Sequence, residues 1–459
     1  MRNRLLVFLA FLPFLGIGAQ GTKEPKWYEA ITVSGFVDVN YTHIDNNKEG
    51  KQEDTSSALH TYNKQFSVAA VELDVEKTAD EKSPWGFRID MMNGQNAAYQ
   101  EGAFTGKNQM YNLNMLQQAY VSFYFPILKG VTVDVGKMAT HIGTEVLESA
   151  DNYNYTGGYI FFNTVPFIHT GARANLALTD DWSMGLYLYN SAAGTGYQDP
   201  ATYLASNGEH AYVNSETARK AYGTQVKGNL VKDKVDIIWN TLYGSDVQAG
   251  RVSNQTQMAN DYVGNTFIPN PRSKFGRDYW FVNHVLVSIT PMDKLSIMLD
   301  WTFGEKSGSV AGNAKSGIAA PVGTSSVTIL RDENDIKNVY NTYGVWVKYD
   351  FTDKFSLAMR YEHLDDSRYG GVLGNAPLGG YTPASRIDLL YAANNSLVTG
   401  GNLGQLRTFT ITPTYVWSEN IIVKLDLRRD WGLGEQFVNR RGQPSHYQNS
   451  VTLGMVAKF

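Results

Sequence analysis

Residues 343–361 read Tyr-Gly-Val-Trp-Val-Lys-Tyr-Asp-Phe-Thr-Asp-Lys-Phe-Ser-Leu-Ala-Met-Arg-Tyr, and this stretch decides the fold. Apolar and polar side chains alternate on both sides of residues 352–354. Successive side chains of a strand point to opposite faces, so a period of two predicts a tight antiparallel hairpin with one apolar face. Either a second layer of protein or lipid must cover that face, and the rest of the chain decides between them.

Composition excludes several classes of protein. The chain has no cysteine, so a disulfide framework, thiol chemistry and Cys-ligated metals are absent. A formal net charge of -4 over 459 residues gives no electrostatic reason to bind nucleic acid. After residue 20 no apolar run reaches the roughly 18 residues that a membrane helix needs, which excludes a helical membrane protein.

The first residues predict export. Arg2 and Arg4 precede an apolar run over residues 5–17, which is followed by the small residues Gly18 and Ala19. This is the pattern of a secretory signal peptide, and we expect cleavage near Ala19. The alternative, an N-terminal anchor helix, is disfavoured because the run is short and lacks a flanking stop. The mature protein is therefore expected to leave the cytoplasm.

The alternation of the opening hairpin recurs from residue 30 to the last residue. Together with that hairpin it predicts about 16 strands, with 14 to 18 compatible with the pattern. The other strands are expected at residues 31–42, 71–76, 85–91, 118–125, 131–135, 172–178, 184–190, 222–230, 235–243, 279–289, 295–303, 409–417, 423–428 and 451–459.

The connections between these strands alternate between very short and long. Short ones, such as residues 179–181 and 352–354, contain Asp with Thr, Lys or Ser, which suits tight turns. Long ones are rich in Gly, Asn and Ser, as at residues 244–277, 305–337 and 365–405. So many long loops argue against a compact soluble domain. Short turns on one rim and long loops on the other are typical of an outer-membrane barrel.

Hydrocarbon offers no hydrogen-bonding partner, so a sheet can span it only by closing on itself. We therefore predict an all-β fold, a transmembrane antiparallel up-and-down β-barrel with short periplasmic turns and long extracellular loops. The domains are a signal peptide over residues 1–19, a short periplasmic segment over 20–29 and one barrel over 30–459. The expected location is the outer membrane of a Gram-negative cell.

Two details of the strands carry expectations. Aromatic residues near strand ends are assigned to the interfacial girdles of the barrel. Pro413 lies inside a strand and lacks the N–H of a ladder bond, so we expect an irregularity there. The girdle residues are Trp85, Trp182, Phe351, Phe355, Trp417 and Phe459 by the short turns, and Tyr41, Tyr189, Tyr243, Tyr279 and Tyr361 by the long loops.

Two motifs resemble known proteins. The last strand, residues 451–459, ends on Phe459 and resembles the C-terminal signature by which the assembly machinery recognises outer-membrane barrels. Gly136-Lys137, Gly-Thr-Glu-Val at 143–146, Asp-Asn-Tyr-Asn-Tyr at 151–155 and the Pro166 to Arg173 segment together resemble the OmpL-like β-barrel outer-membrane porin family. That resemblance implies a passive outer-membrane channel.

If the apolar faces meet lipid, the alternate positions face a lumen with charges of both signs. Such a wall suits a water-filled pore, although the charges could instead pair and plug the barrel. At roughly 16 strands the lumen is too wide for side chains to fill, which favours a channel for passive diffusion of small hydrophilic solutes. The inward charges are Glu72, Asp74, Glu76, Arg88, Asp90, Asp134, Arg173, Lys227, Lys348, Asp350, Arg360, Glu362, Lys424, Asp426 and Arg428.

The loop over residues 138–167 is the candidate constriction. It carries acids and tyrosines, and the hypothesis is that it folds inward and sets its acids opposite arginines of the wall. An ordinary external loop is the alternative. The candidate pore-lining or constriction residues are Arg88, Asp90, Arg173, Lys348, Asp350, Arg360, Glu362, Arg428, Glu145, Glu148 and Asp151.

Other functions find less support. No Gly-x-Ser-x-Gly, His-Glu-x-x-His or phosphate-loop motif occurs, and His141 and His169 are interpreted as polar loop residues, so we expect no enzyme, catalytic residue, cofactor or metal site. An energised transporter would need a plug, for which about ten residues before the first strand leave no room. The remaining alternative is an adhesin or structural barrel whose long loops bind a partner.

The expected partners follow from the barrel. They are outer-membrane lipid and lipopolysaccharide, small hydrophilic solutes, and the barrel assembly machinery, which would bind the strand that ends in Phe459. No nucleic acid is expected. Sixteen-stranded porins are often trimers, so a homotrimer is expected by analogy of fold.

Overall fold

The computed structural model describes residues 27–45, 63–99, 115–190, 192, 202–204, 210–212, 220–245, 279–306, 316–322, 325–331, 338–365, 405–432, 437–441 and 443–459. Sixteen antiparallel strands form a closed barrel in which strand order follows sequence order. They are β1 Thr32–Ile44, β2 Gln65–Lys77, β3 Trp85–Asn93, β4 Leu116–Phe125, β5 Val131–Ala139, β6 Ile168–Ala177, β7 Trp182–Tyr189, β8 Ala221–Val231, β9 Val235–Ser245, β10 Tyr279–Met292, β11 Leu295–Lys306, β12 Asn338–Asp350, β13 Phe355–Asp365, β14 Gln405–Ser418, β15 Ile421–Gly432 and β16 Tyr447–Lys458.

The barrel closes where the first strand meets the last. Val37 pairs with Ala457 and Tyr41 with Leu453 in the β1–β16 ladder. Closure leaves no strand with unpaired N–H and C=O groups, which is the condition for a sheet to span hydrocarbon. The predicted fold class and strand count are thus confirmed.

Few described elements lie outside the barrel. They are one short helix, α1 (Tyr159–Thr164), two 3-10 turns (Trp27–Ala30 and Gln95–Tyr99) and three small hairpins, formed by Thr202–Leu204 with His210–Tyr212, Ser316–Val322 with Ser325–Arg331, and Phe437–Val438 with Pro444–Ser445. Among the described residues no helix is long and apolar enough to cross a membrane. Residues 1–26 and most of the predicted long loops at 244–277, 305–337 and 365–405 lie outside the described residues.

The alternation of the opening hairpin is realised as two faces of the wall. On β13, Met359 and Tyr361 are each 38% exposed, whereas Arg360 and Glu362 are 0% exposed. The neighbouring β12 exposes Val345 in the same way. Apolar side chains therefore point outward, where lipid replaces a second protein layer, and the charged side chains point into the barrel.

Among the girdle residues whose side chains are described, which excludes Tyr279, the prediction is wrong at one. Trp85, Trp182 and Trp417 are exposed near the short turns, as a girdle requires. Tyr189, however, is completely buried, and its ring stacks on that of His169 with centroids 4.0 Å apart. The physical reason is strand register, because Leu188 takes the outward position and the next residue must then point inward.

Pro413 interrupts the pairing of one ladder but does not shift its register. It pairs with Leu357 of β13. On the other side, the β14–β15 ladder passes from the pair Ile411 and Leu427 to the pair Thr414 and Lys424 with no register shift between them. The expected irregularity is thus a local gap in the ladder and not a bulge.

Candidate functional site

The connection between β5 and β6, residues 140–167, runs through the interior of the barrel; we call it the inner loop. All six residues of its helix α1 are buried. Gly143 turns the chain at φ 113°, a conformation that other residues rarely adopt. The side chain of Asn152 then accepts a hydrogen bond from the Val146 amide at 2.9 Å and donates one to its carbonyl at 2.7 Å, which folds the segment on itself.

A buried ion pair attaches the inner loop to β13. Arg360 Nη1 donates to Glu145 Oε1 at 2.6 Å, and both side chains are almost completely buried. Trp346 Nε1 on β12 donates to the same oxygen at 3.2 Å, and the Gly158 amide donates to Glu145 Oε2 at 2.7 Å. Further contacts offset the cost of burying this pair, since Arg360 Nη2 donates to Thr410 Oγ1 at 3.1 Å and Arg360 Nε lies 3.7 Å from Glu362 Oε2.

A second attachment lies on β15. Asp426 accepts hydrogen bonds from the Tyr155 amide at 3.1 Å, from the Thr156 amide at 2.7 Å and from Thr156 Oγ1 at 2.7 Å. Two residues further along the strand, Arg428 Nη1 donates to the Gly157 carbonyl at 2.7 Å. The backbone of the inner loop is therefore held by charged groups of the wall.

A third attachment is made at the start of α1. The carboxylate of Glu362 accepts from the Tyr159 amide at 2.8 Å and from the Ile160 amide at 3.3 Å. These amides have no partner within the helix, and a carboxylate there also interacts favourably with the helix dipole. A Cβ at Gly158 would collide with the carboxylate of Glu362, so a larger residue there would displace this carboxylate from the amides of α1.

Further contacts reach the rest of the circumference. Lys424 Nζ donates to the Ser149 carbonyl at 2.7 Å, Tyr155 Oη donates to Asp38 Oδ1 of β1 at 2.5 Å, and Thr144 Oγ1 donates to Asp300 Oδ2 of β11 at 2.5 Å. The densest set belongs to β12–β15, which we call the anchor wall.

The opposite part of the lumen is open. A cavity of about 1090 Å³, which we call the vestibule, lies between the inner loop and the inward faces of strands between β1 and β10. It extends from the short-turn rim at Lys129 and Phe459 to Glu145 and Glu148 of the inner loop. Its charged lining includes Glu72, Asp74, Arg88, Glu148, Asp151, Arg173 and Lys227.

Several charges of the vestibule, unlike Arg360 and Glu362 of the anchor wall, remain partly exposed. Arg173 Nε donates to Asp134 Oδ2 at 2.6 Å, and the arginine side chain remains 22% exposed. Lys227 of β8 is exposed to the vestibule. On the other side Arg88 bridges Asp90 at 2.8 Å and Glu76 at 3.2 Å.

Three titratable groups of the inner loop, outside the strands, have shifted pKa values, and burial raises that of the Tyr155 hydroxyl well above its ordinary value. Burial raises the pKa of the Glu148 carboxyl, and the hydrogen bond from Gln117 offsets this only in part. Burial lowers the pKa of His141 to about 4. His141 is therefore neutral at physiological pH, with Nε2 donating to the Thr241 carbonyl at 3.0 Å.

The eleven predicted site residues fall into three places. Arg88, Arg173, Glu148 and Asp151 line the vestibule, and Asp90 is buried behind Arg88. Arg360, Glu362 and Arg428 are buried under the inner loop, and Glu145 joins them while also reaching the vestibule. Lys348 and Asp350 form a half-exposed pair, 3.0 Å apart, near the end of β12.

Sequence reasoning missed several residues of this arrangement, among them Gln117 of β4 and Thr412 of β14. Asp38, Asp300 and Trp346 bind the inner loop from β1, β11 and β12. Their inward position follows from the alternation of their strands. Nothing in the sequence indicates that the inner loop forms hydrogen bonds with them.

Several solved structures resemble the barrel. The outer-membrane channel DcaP of Acinetobacter baumannii is 11% identical, with 94% of this chain and 97% of that chain covered and a TM-score of 0.49. An anion-selective porin from Comamonas acidovorans is 10% identical over 94% and 99% of the two chains, with a TM-score of 0.49. OmpF of Salmonella typhi, in complex with daunomycin, is 12% identical over 94% and 97%, again with a TM-score of 0.49.

No curated protein matches the chain at a significant level. The match by family is extensive, since one model covers residues 30–459 and so the whole barrel. The chain belongs to the family described as "Putative beta-barrel porin-2, OmpL-like".

Proposed function

We propose that this outer-membrane porin passes small hydrophilic solutes by passive diffusion through the part of the lumen that the inner loop leaves free. The observation that carries the proposal is the asymmetry of the interior. The inner loop is bound to the anchor wall through buried ion pairs, while a cavity of about 1090 Å³ with charged lining lies on the other side. Family membership supports the same function.

The inner loop acts as the constriction in this proposal. Glu148 and Asp151 project from it toward the vestibule, whereas Arg173 and Lys227 lie on β6 and β8. A solute passing between them would experience a transverse field, so its charge and dipole would influence its passage. Because both signs line the path, we expect no strong preference for cations or anions.

Deleting residues 142–154 tests the constriction. Single-channel recording should show a larger conductance than in the wild type, since the segment that narrows the lumen is removed. The variant must first show the heat-dependent gel mobility of a folded barrel, as the wild type does. Unchanged conductance in a folded variant would contradict a role of the inner loop in permeation.

Liposome swelling discriminates the channel from the alternative, an adhesin or structural barrel. We expect swelling in sugars of low mass and a decline in rate with solute size. An impermeable barrel that folds correctly would favour the adhesin. The proposed channel leaves its solutes chemically unchanged, and chemical analysis of the solutes recovered from the liposomes would test this.

Three further elements belong to this proposal. Residues 1–19 act as a cleaved signal peptide, which N-terminal sequencing of the mature protein would test.

The strand that ends in Phe459 is recognised by the barrel assembly machinery, and truncation of Phe459 should slow assembly. The protein is a homotrimer in a membrane of lipid and lipopolysaccharide, and chemical cross-linking in outer membranes would reveal the number of subunits.

A further inference from the structure

Strand register brings acidic side chains together in the wall of the vestibule. Asp74 of β2 is the direct partner of Asp90 of β3, and Glu72 lies two residues along on the same face. One carboxylate oxygen from each of the three residues lies within 4.8 Å of those of the other two. Like charges placed directly opposite each other in a sheet are destabilising. The arrangement therefore needs a compensating positive charge.

The neighbouring arginine compensates only one member of this group. Arg88 Nε lies 2.8 Å from both Oδ1 and Oδ2 of Asp90, and Arg88 Nη1 lies 3.2 Å from Glu76. Gln118 also donates to Asp90. Asp90 is thus fully hydrogen bonded, and the guanidinium is directed away from the other two carboxylates of the group.

Glu72 and Asp74 keep unpartnered oxygens. Glu72 is only 2% exposed, and its Oε2 has neither solvent contact nor a hydrogen-bond partner. The same holds for Oδ1 of Asp74. A buried carboxylate oxygen without a partner is costly, so this pair requires either a proton shared between the two carboxylates or a bound cation.

The amide oxygen of Gln117, a neutral group of the kind that binds cations, belongs to the same cavity. Gln117, 4% exposed, donates its amide to Glu148 Oε1 at 2.6 Å, which leaves Gln117 Oε1 buried and unpartnered. Glu148 is close enough to Glu72 and Asp74 for their charges to repel. Gln117, Glu148, Glu72 and Asp74 all line the vestibule. The donor set consists of carboxylate and amide oxygens.

We propose that Glu72, Asp74, Gln117 and Glu148 form a binding site for a hard divalent cation, with Ca²⁺ preferred over Mg²⁺. Oxygen ligands from carboxylates and an amide are those that both cations prefer, and an irregular set from two strands and a loop suits the flexible coordination of Ca²⁺ better than the octahedron of Mg²⁺. The cation joins β2, β4 and the inner loop. It also neutralises the acidic side of the vestibule, whichever solute passes there.

Calorimetric titration of the full chain in detergent, after removal of metals with EDTA, tests the site. CaCl₂ should give one saturable binding event and MgCl₂ a weaker one. The isosteric variants Glu72→Gln and Asp74→Asn should each weaken Ca²⁺ binding by about tenfold or more, since each removes a charged ligand. The matched controls Glu81→Gln and Asp353→Asn, in exposed short turns, should bind as the wild type does.

Two outcomes would overturn the proposal: no saturable Ca²⁺ binding by the wild type, or equal binding by wild type and Asp74→Asn. If the heats of binding are too small to measure, thermal unfolding provides a second test. Ca²⁺ should raise the unfolding temperature of the wild type and leave that of Asp74→Asn unchanged, whereas an equal rise in both would contradict the site. In planar bilayers, Ca²⁺ should shift the reversal potential of the wild type toward anion selectivity and that of Asp74→Asn little.

Discussion

The anchor wall and the wall of the vestibule have the same sequence pattern and different environments. In both, the charged residues take inward-facing positions in the alternation of a strand. On the anchor wall the inner loop covers them, so Arg360 and Glu362 are fully buried and bind loop atoms. On the other side the cavity leaves Lys227 and Arg173 in contact with solvent. The same residue types therefore bind the inner loop on one side and, in the proposed function, border the path of solutes on the other.

Arg360→Ala is expected to have the largest effect on the anchor wall. The substitution leaves Glu145 buried without its cation, and loss of one partner of a buried pair costs about 3–5 kcal/mol. We expect a large decrease in the free energy of unfolding, measured with urea in detergent micelles. Release of the inner loop should also produce larger and noisier single-channel currents.

Arg440→Ala is the matched control for this prediction. Arg440 pairs with Asp45 but is 76% exposed, and exposed pairs contribute only about 0–1 kcal/mol. If both variants lose the same stability, the inner loop is not held by its buried pair.

Asp426→Asn should have a smaller effect on the same wall. Asp426 accepts hydrogen bonds from the Tyr155 amide and from both donors of Thr156, and an asparagine presents an NH₂ group to at least one of them. Hydrogen bonds to charged groups contribute about 1.5–3 kcal/mol each, so we expect a loss in that range. Faster proteolysis within residues 150–157 in the folded barrel would confirm that the attachment was weakened, and unchanged proteolysis would contradict it.

Glu148→Gln tests the vestibule side through the pH dependence of the unfolding temperature. Burial raises the pKa of Glu148 above its unfolded value of about 4.3, so folding favours the protonated form. This contribution to stability is fully present below the unfolded pKa and is lost as the pH rises through the folded pKa. With EDTA present, the unfolding temperature of the variant should therefore exceed that of the wild type increasingly as the pH rises above about 4.3. A constant difference would show that Glu148 does not titrate in this way.

The smallest effect on stability is expected for Lys227→Glu in the vestibule. An exposed charge outside any special contact changes the free energy of unfolding by about 0.5 kcal/mol or less. The reversal potential in a KCl gradient should nevertheless shift toward cation selectivity, because the positive charge borders the path. Lys232→Glu, in the exposed turn after β8, is the control and should leave the reversal potential unchanged.

The sequence predicts the wall of the barrel well because its period is local. Each strand carries its own alternation, so Val345 and Trp346 could be assigned to opposite faces without knowledge of any neighbour. Tyr189 shows the limit, since the residue lies at the end of its strand and an error of one position changes its face. Burial of Tyr189 also depends on its neighbours, which include His169 of β6 and His141 of the inner loop.

The roles of the inward residues could not be predicted in the same way. Arg360 and Arg173 have equivalent positions in their strands, yet Arg360 meets Glu145 and Arg173 meets Asp134 beside a cavity. Which environment each one has depends on where a loop crosses the lumen. Asp74 lies opposite Asp90 because of the register between β2 and β3. The alternation of apolar and polar residues does not determine that register.

The attachments of the inner loop also constrain the order of assembly. The loop follows β5, but Arg360 lies 215 residues after Glu145, and Asp426 lies 270 residues after Thr156. Contacts so distant in sequence form slowly, because the intervening chain must first be ordered. We therefore expect the β5–β6 hairpin to pair before its loop is attached. Docking of the loop requires the anchor wall to be in place, which makes it a late step of folding.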